Sequence, residues 1–85
     1  MVVRLLYFAW LRERLGRAEE EVSVPPGLDT VGALLGWLRE RGSPYAEVLT
    51  ETARIRSAVN QDFASDGTRI AAGDEIALFP PITGG

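Results

Sequence analysis

The chain has 85 residues, of which 46% are hydrophobic and 25% charged, and its formal net charge is −3. A chain of this size fits one small globular domain with a single core, and it has no room for two. It contains neither Cys nor His, which excludes thiol nucleophiles, disulfides, imidazole bases and the usual transition-metal ligands, so we expect no metal site.

Charge and hydropathy also exclude several classes of partner. All nine basic residues are arginine and twelve residues are acidic, which argues against nucleic-acid binding because that requires a basic footprint. No apolar run is long enough to cross a bilayer and no basic leader precedes an apolar stretch, so we expect no membrane partner and a cytoplasmic location. Without lysine, one copy offers no side-chain amine to the C-terminus of another.

Residues 2–8 alternate in a way that predicts a first β-strand. Because one set of alternate residues carries the charge, we assign that set to solvent: Val2, Arg4, Leu6 and Phe8. The core face is then Val3, Leu5 and Tyr7. Leu11 and Leu15 lie four residues apart, which predicts a short helix over residues 9–15 that ends at Gly16.

A second strand and the clearest helix of the chain come next. The strand leads to Val22 and Val24 and ends at two prolines. Asp29 or Thr30 is a suitable N-cap for the helix. Its apolar residues have the i, i+3, i+4, i+7 spacing of one buried stripe: Val31, Leu34, Leu35 and Leu38. We expect this helix to end at Gly42 and a short helical turn to occupy residues 43–49.

The pattern of the second half of the chain predicts strands and turns. Residues 54–60 predict a third strand, with Ile55, Ser57 and Val59 on one face and Arg56 and Ala58 on the other. Turns at residues 60–62, 66–67 and 72–74 are followed by a last strand over residues 75–79. In that strand Ile76 and Leu78 point inward, while Ala77 and Phe79 point outward. One long helix then covers one sheet face and leaves the other open, which is a two-layer α+β domain.

The last six residues form a separate unit. Gly84 and Gly85 maximise backbone freedom and add no side chains to a core. Such a slender chain end can place its α-carboxylate in a narrow slot of a partner, so the Gly85 carboxylate is the first functional candidate. We therefore expect a folded domain over residues 1–79 and a flexible tail over residues 80–85.

Four segments together resemble the small subunit of molybdopterin synthase, the MoaD family. They are residues 6–9 (LYFA) with 11–13 (LRE) and Gly16, residues 58–61 (AVNQ), residues 72–77 (AGDEIA) and residues 79–85 (FPPITGG). The similarity runs from end to end, and the order of elements is that of the β-grasp, ubiquitin-like fold. The resemblance implies a mixed sheet of about four to five strands, one main helix across one face and a flexible C-terminal tail.

Members of that family are sulfur carriers, and the resemblance implies the same cycle here. An adenylyltransferase would use ATP to join AMP to the Gly85 carboxylate, and a separate sulfur donor would convert the product to a thiocarboxylate. The tail would then enter the large synthase subunit and give its sulfur to a pterin precursor. The resemblance thus implies a non-catalytic subunit of a heterotetramer that binds no cofactor stably.

The tail residues have supporting roles in that cycle. Gly84 permits close approach of the backbone to a partner's channel, and Pro80 and Pro81 stiffen the base of the tail so that less entropy is lost on insertion. Ile82 and Thr83 complete the segment that inserts.

A docking surface is predicted on the open sheet face. If the first and last strands are neighbours, four exposed apolar side chains form one patch, and such patches mark interfaces: Leu6, Phe8, Ala77 and Phe79. Arg4 and Arg56 are expected to rim this patch, where they could meet carboxylates of the partner.

Other features are assigned to structure. Trp10 and Trp37 are expected to pack against the core. Residues 19–21 (EEE) are expected to form a solvated turn and strand edge. Asp74 and Glu75 are expected to shape the turn before the last strand.

Alternative functions remain open. A carrier for thiamine biosynthesis is one, although such carriers tend to be shorter and lack the Phe-Pro-Pro approach to the glycines. A ubiquitin-like protein modifier is another. The third is a binding module that uses the open sheet face and has an incidental Gly-Gly end.

Overall fold

The computed structural model describes residues 1–50 and 54–81. Within them the strands are β1 Val2–Tyr7, β2 Glu19–Ser23, β3 Arg56–Val59, β4 Asp62–Ala64 and β5 Glu75–Phe79. The helices are α1 Ala9–Leu15, α2 Val31–Arg39 and α3 Tyr45–Val48. Across this described part of the chain, the helices are too short or too polar to cross a membrane.

The five strands form one mixed sheet in the order β2-β1-β5-β3-β4. The first and last strands are parallel neighbours at its centre, and every other neighbouring pair is antiparallel. A central parallel pair, an antiparallel hairpin on each side and a helical connection across one face define the β-grasp topology. The predicted fold class is therefore confirmed.

The core lies between α2 and one face of the sheet. The predicted stripe of α2 is buried, as are the predicted inward residues of β1 and β5: Val31, Leu34, Leu35, Leu38, Val3, Leu5, Tyr7, Ile76 and Leu78. Each such side chain stabilises the fold by about 1.5–3 kcal/mol relative to exposure. Thr30 rather than Asp29 caps the helix, because its Oγ1 accepts a hydrogen bond from the Ala33 N–H at 3.2 Å.

Some element ends differ from the prediction. Helix α2 ends at Arg39, three residues before Gly42, and residues 40 and 41 form a turn. Strand β3 is shorter than residues 54–60 because Asn60 already belongs to the turn. Strand β1 ends at Tyr7, but the extended Phe8 still donates its N–H to Leu78 O at 3.1 Å, so Phe8 keeps the side expected from alternation.

Other structural assignments hold. Trp10 and Trp37 are partly buried against the core, as predicted. Asp74 shapes the turn before β5, because its carboxylate accepts hydrogen bonds from the Ala71 N–H at 2.7 Å and from Asn60 Nδ2 at 3.0 Å. These hydrogen bonds hold the turn from which β5 starts.

Candidate functional site

The open face of the sheet carries a row of apolar residues across four strands. Strand register places Leu6 beside Ala77, Ala77 beside Ala58, and Ala58 beside Phe63. Phe8 and Phe79 lie on the same face by alternation, one step closer to the tail. We call this surface the apolar strip, and its members are Leu6, Phe8, Ala58, Phe63, Ala77 and Phe79. The structure thus brings together the four residues predicted for docking and adds two more. Of the four, Phe8 is exposed as predicted, whereas Leu6, Ala77 and Phe79 are partly buried against their neighbours in the sheet.

Of the two members of the strip that the docking prediction lacked, Phe63 is the exposed one. Its side chain is 82% exposed, and its ring centroid lies 6.1 Å from that of Phe79. Two aromatic rings so close on a solvated face form an apolar surface that a partner could cover. The site therefore extends to the edge strand β4.

The signal for Phe63 lies in the turn before it. Asn60 and Gln61 form a two-residue hairpin turn with φ angles of 49° and 73°. Such a turn requires left-handed backbone at both positions, which Gly and Asn favour and Gln does not. If a two-residue turn had been assigned here, the sequence alone would have predicted that Ala58 pairs with Phe63.

Ala58, which was predicted to share a face of β3 with Arg56, is only 8% exposed. It does lie on the open face, since it is paired with Ala77. Its strand is flanked on both sides by other strands, and larger neighbouring side chains shield a methyl group in that position. Phe8, at the margin of the sheet, is 46% exposed.

The two arginines predicted to rim the strip lie at opposite ends of the open face. Arg4 is paired in register with Glu21 and Glu75 and forms a salt bridge to Glu19 at 2.7 Å. The hydrogen bond and charge of Glu19 raise the pKa of the Arg4 guanidinium. The Arg4 end of the face is thus a charged zone that is neutralised within the chain.

Arg56 lies at the tail end of the face, opposite Phe79. Among the residues that the structure describes, it forms no ion pair. It also lines a groove of about 370 Å³ with Ser57, Phe63, Ala64 and Phe79. Of the two predicted rim arginines, Arg56 is the one whose charge is available beside the apolar strip.

The tail begins where β5 ends. Pro80 and Pro81 follow Phe79 directly and are partly buried. Ile82, Thr83, Gly84 and Gly85 lie outside the described residues, so the expected roles of the tail stay predictions. The described part nevertheless places the start of the tail beside Phe79 and Arg56.

Glu20 is not solvated, contrary to the prediction for residues 19–21. Its side chain is 7% exposed and accepts hydrogen bonds from the hydroxyls of Tyr7 at 2.8 Å and Tyr45 at 2.6 Å. Arg17 at 2.9 Å and Arg41 at 3.3 Å complete its surroundings. The signal was present, since Glu20 shares the inward side of β2 with Val22.

The surroundings of Glu20 keep it ionised. Burial by itself raises the pKa of this carboxyl, but the hydrogen bonds from Tyr45 and Tyr7 and the charges of Arg41 and Arg17 outweigh burial, so its pKa lies below the ordinary value. Burial and the hydrogen bond to Glu20 raise the pKa of both tyrosine hydroxyls. This cluster joins β1, β2 and α3 and leaves no vacant acceptor for a ligand, so we assign it to stability.

With the site described, comparison with known proteins identifies the family. Residues 5–85 match the model of the ThiS family. The chain belongs to the ThiS family. A family relative from Escherichia coli K12, a molybdopterin synthase sulfur carrier subunit, is 36% identical over 84 residues, which are 99% of this chain and 100% of the relative. The human protein of the same name is also 36% identical, over 98% of this chain and 93% of that protein.

Solved structures agree with this family assignment. A Pyrococcus furiosus structure described as a molybdopterin converting factor, subunit 1, has a TM-score of 0.79 and 28% identity over 96% of this chain and 99% of that one. SAMP1 from Haloferax volcanii has a TM-score of 0.74 and 33% identity over both full chains. A complex of subunits 1 and 2 of the Helicobacter pylori molybdopterin-converting factor contains a chain with a TM-score of 0.65 and 20% identity, a likeness of fold alone that covers both chains in full. The resemblance inferred from the four sequence segments is confirmed.

Proposed function

We propose that this chain is the sulfur carrier subunit of a molybdopterin synthase. One observation carries the proposal: the chain matches sulfur carrier subunits of that name over nearly its whole length, including the segment that leads from Phe79 to Gly85. The apolar strip supports it, because a carrier needs a surface by which a partner can hold the domain while the tail reacts.

The proposed chemistry takes place at the Gly85 carboxylate. A carboxylate is a poor electrophile, so one of its oxygens first attacks the α-phosphorus of ATP, which forms an acyl-adenylate and releases pyrophosphate. The donor supplies sulfur at the oxidation level of sulfide (HS−), which attacks the acyl carbon, and AMP leaves. The sulfur of the resulting thiocarboxylate bonds to the pterin precursor, and water then cleaves the acyl–sulfur bond, which restores the Gly85 carboxylate. ATP belongs to the activating enzyme in this scheme, and the carrier holds no cofactor of its own.

The proposed partner of the apolar strip is the large subunit of the synthase. The E. coli relative is named as a subunit of this synthase, and the H. pylori structure is a complex of two subunits. By analogy, we propose that two carriers and two large subunits form a heterotetramer in which the reaction site belongs to the large subunit. The proposal also places the chain in the cytoplasm, since its activation consumes ATP.

Intact mass measurement tests the proposed function directly. The chain is incubated with the adenylyltransferase of its own organism, ATP and a sulfur donor. We expect the mass to rise by the difference between sulfur and oxygen, and fragmentation should locate the change at Gly85. Omission of ATP is the control. A chain that keeps its original mass with all components present would contradict the carrier function.

Phe63→Ala should weaken docking without unfolding the domain. Because Phe63 is 82% exposed, its truncation removes little buried area, and we expect the free energy of unfolding to change by less than about 1 kcal/mol. Affinity for the large subunit should fall at least about tenfold, since aromatic side chains at an interface are frequent binding hot spots. Titration calorimetry measures the affinity.

Val2→Ala is the matched control for Phe63. Val2, in β1, is 48% exposed and lies on the open face of the sheet as Phe63 does, but at the end opposite the tail. Its truncation should leave the affinity unchanged. Equal affinities of the Phe63→Ala chain and the unmodified chain would exclude Phe63 from the docking surface.

A second function is favoured by one comparison. SAMP1, which is 33% identical, belongs to the small archaeal modifier proteins, and a modifier would also use an activated C-terminus. Covalent conjugates of the chain with other proteins in an extract of its own organism would support this function. A chain recovered with sulfur at Gly85 and no conjugates would favour the carrier.

A further inference from the structure

A contact between two distant segments spans the point where the tail leaves the sheet. Trp10 lies in α1, directly after β1, and Arg54 lies just before β3. Strand β5 is between β1 and β3 in the sheet. The Arg54 guanidinium nevertheless lies 5.3 Å from the Trp10 ring centroid. This contact therefore bridges the end of β5, next to Pro80 and Pro81.

Two further arginines lie at this end of the domain. The Arg14 guanidinium lies 5.1 Å from the same Trp10 ring, and Arg56 is opposite Phe79 in the sheet register. All three arginines are exposed. We call Arg14, Arg54 and Arg56, together with Trp10, the arginine collar.

The collar presents charge that can be used by a partner. A guanidinium that stacks on an aromatic ring keeps its N–H groups at the edge of its plane, where they can still donate to carboxylates. Arg14 and Arg56 form no ion pairs within residues 1–50 and 54–81. The cation–π contact with Trp10 thus positions Arg14 without neutralising it, whereas Arg4 at the other end of the sheet is neutralised by Glu19.

The location of this charge matters because the rest of the chain is acidic. The net charge is −3, and Gly85 must approach ATP, which is itself an anion. Within the described part of the chain, the acidic residues near the collar are Glu13 on α1 and Asp66, which lines a second groove with Arg56. Among the described residues, Arg14 and Arg56 carry positive charge without an ion-pair partner at the tail end. A protein whose net charge is negative but whose charge at one end is positive is oriented by the electric field of a negatively charged partner.

We propose that the arginine collar binds carboxylates at the mouth of the slot through which the tail enters the activating enzyme. The inference rests on the proposed function, since it assumes that such an enzyme receives the tail. The collar steers the encounter so that the tail end arrives first, and Arg14 and Arg56 then pair with the acidic rim. The apolar strip and the collar are thus two distinct recognition surfaces beside one tail.

Association kinetics with the activating enzyme test the collar. By stopped flow at low ionic strength, Arg14→Gln and Arg56→Gln should each lower the association rate constant about threefold, and the double variant about tenfold, with a weaker dependence on salt. The rate of pyrophosphate release at saturating carrier should stay unchanged, because neither residue contacts the reacting carboxylate. Circular dichroism confirms that the variants fold.

Arg69→Gln is the matched control. Arg69 is an exposed arginine that pairs with Asp29 beside the start of α2, so its charge is already compensated within the chain and it belongs to neither the collar nor the apolar strip. Its replacement should leave the association rate within about twofold of the unmodified chain.

Two different results would overturn the inference. If the unmodified chain releases pyrophosphate and the double variant associates at the same rate with the same salt dependence, the collar has no recognition role and the proposed function stands. If the unmodified chain itself neither binds the enzyme nor releases pyrophosphate, both the collar and the proposed function are wrong.

Discussion

Deleting Gly85, or adding one alanine after it, is expected to abolish sulfur loading while the domain stays folded. Deletion moves the carboxylate back by about 3.5 Å, and addition converts the reacting carboxylate into an amide. A misplacement of about 1 Å in a reacting group can cost a factor of about 100, so we expect at least that loss. Intact mass after incubation with the activating enzyme, ATP and a sulfur donor measures the loaded fraction.

Unfolding in urea is the control for these tail variants. The described core lies entirely within residues 3–78, so both variants should unfold at the same urea concentration as the unmodified chain. Arg69→Gln, which alters neither the tail nor the strip, should load normally. An extended chain that still supported pterin synthesis without being trimmed would refute the role of the Gly85 carboxylate.

Replacing Glu20 should cause a large loss of stability although it removes no part of the hydrophobic core. Glu20→Ala leaves the Tyr7 and Tyr45 hydroxyls without their acceptor and leaves the charges of Arg17 and Arg41 uncompensated. Breaking a buried ionic cluster costs about 3–5 kcal/mol, and because Arg17 is half exposed we expect the lower end, about 3 kcal/mol. Urea unfolding at neutral pH measures the change in the free energy of unfolding.

The pH dependence provides a second readout for Glu20. Its pKa in the folded state is below the ordinary carboxyl value of 4.5, so its contribution is fully present above that value and is lost as the pH falls through the folded pKa. Acidification below 4.5 should therefore destabilise the unmodified chain more than the Glu20→Gln chain. Parallel loss of stability in both chains would contradict this assignment.

Glu19→Gln is the matched control for Glu20. It lies next to Glu20 in β2, but its side chain is 55% exposed and is paired with the exposed Arg4. Exposed ion pairs stabilise little, so the free energy of unfolding should be nearly unchanged.

The Glu20 cluster also explains why the sheet can present its other face to a partner. Strand β2 is an edge strand, and the hydrogen bonds from Tyr7 and Tyr45 tie it to β1 and α3 from the core side. The open face therefore needs no covering element to hold its strands together. It is free to carry the apolar strip and the collar.

Much of the fold follows from local periodicity. Alternation in residues 2–8 and 75–79 assigned the buried and open faces of β1 and β5 correctly, because successive strand residues point to opposite sides. The spacing of Val31, Leu34, Leu35 and Leu38 likewise identified the buried stripe of α2. Four of the six residues of the apolar strip were predicted in this way.

The remaining features depend on contacts between segments far apart in the chain. Phe63 joined the strip only through the register of β3 with β4, and Tyr45 reached Glu20 across 25 positions of sequence. Trp10 follows β1 and Arg54 precedes β3, and their contact crosses the end of β5 because the sheet order places β5 between β1 and β3. The sequence by itself determined the faces of the elements and the Gly-Gly segment, because those follow from side-chain periodicity and backbone chemistry. Only the tertiary structure decided which residues are neighbours around the tail, since strand order and register are not local properties.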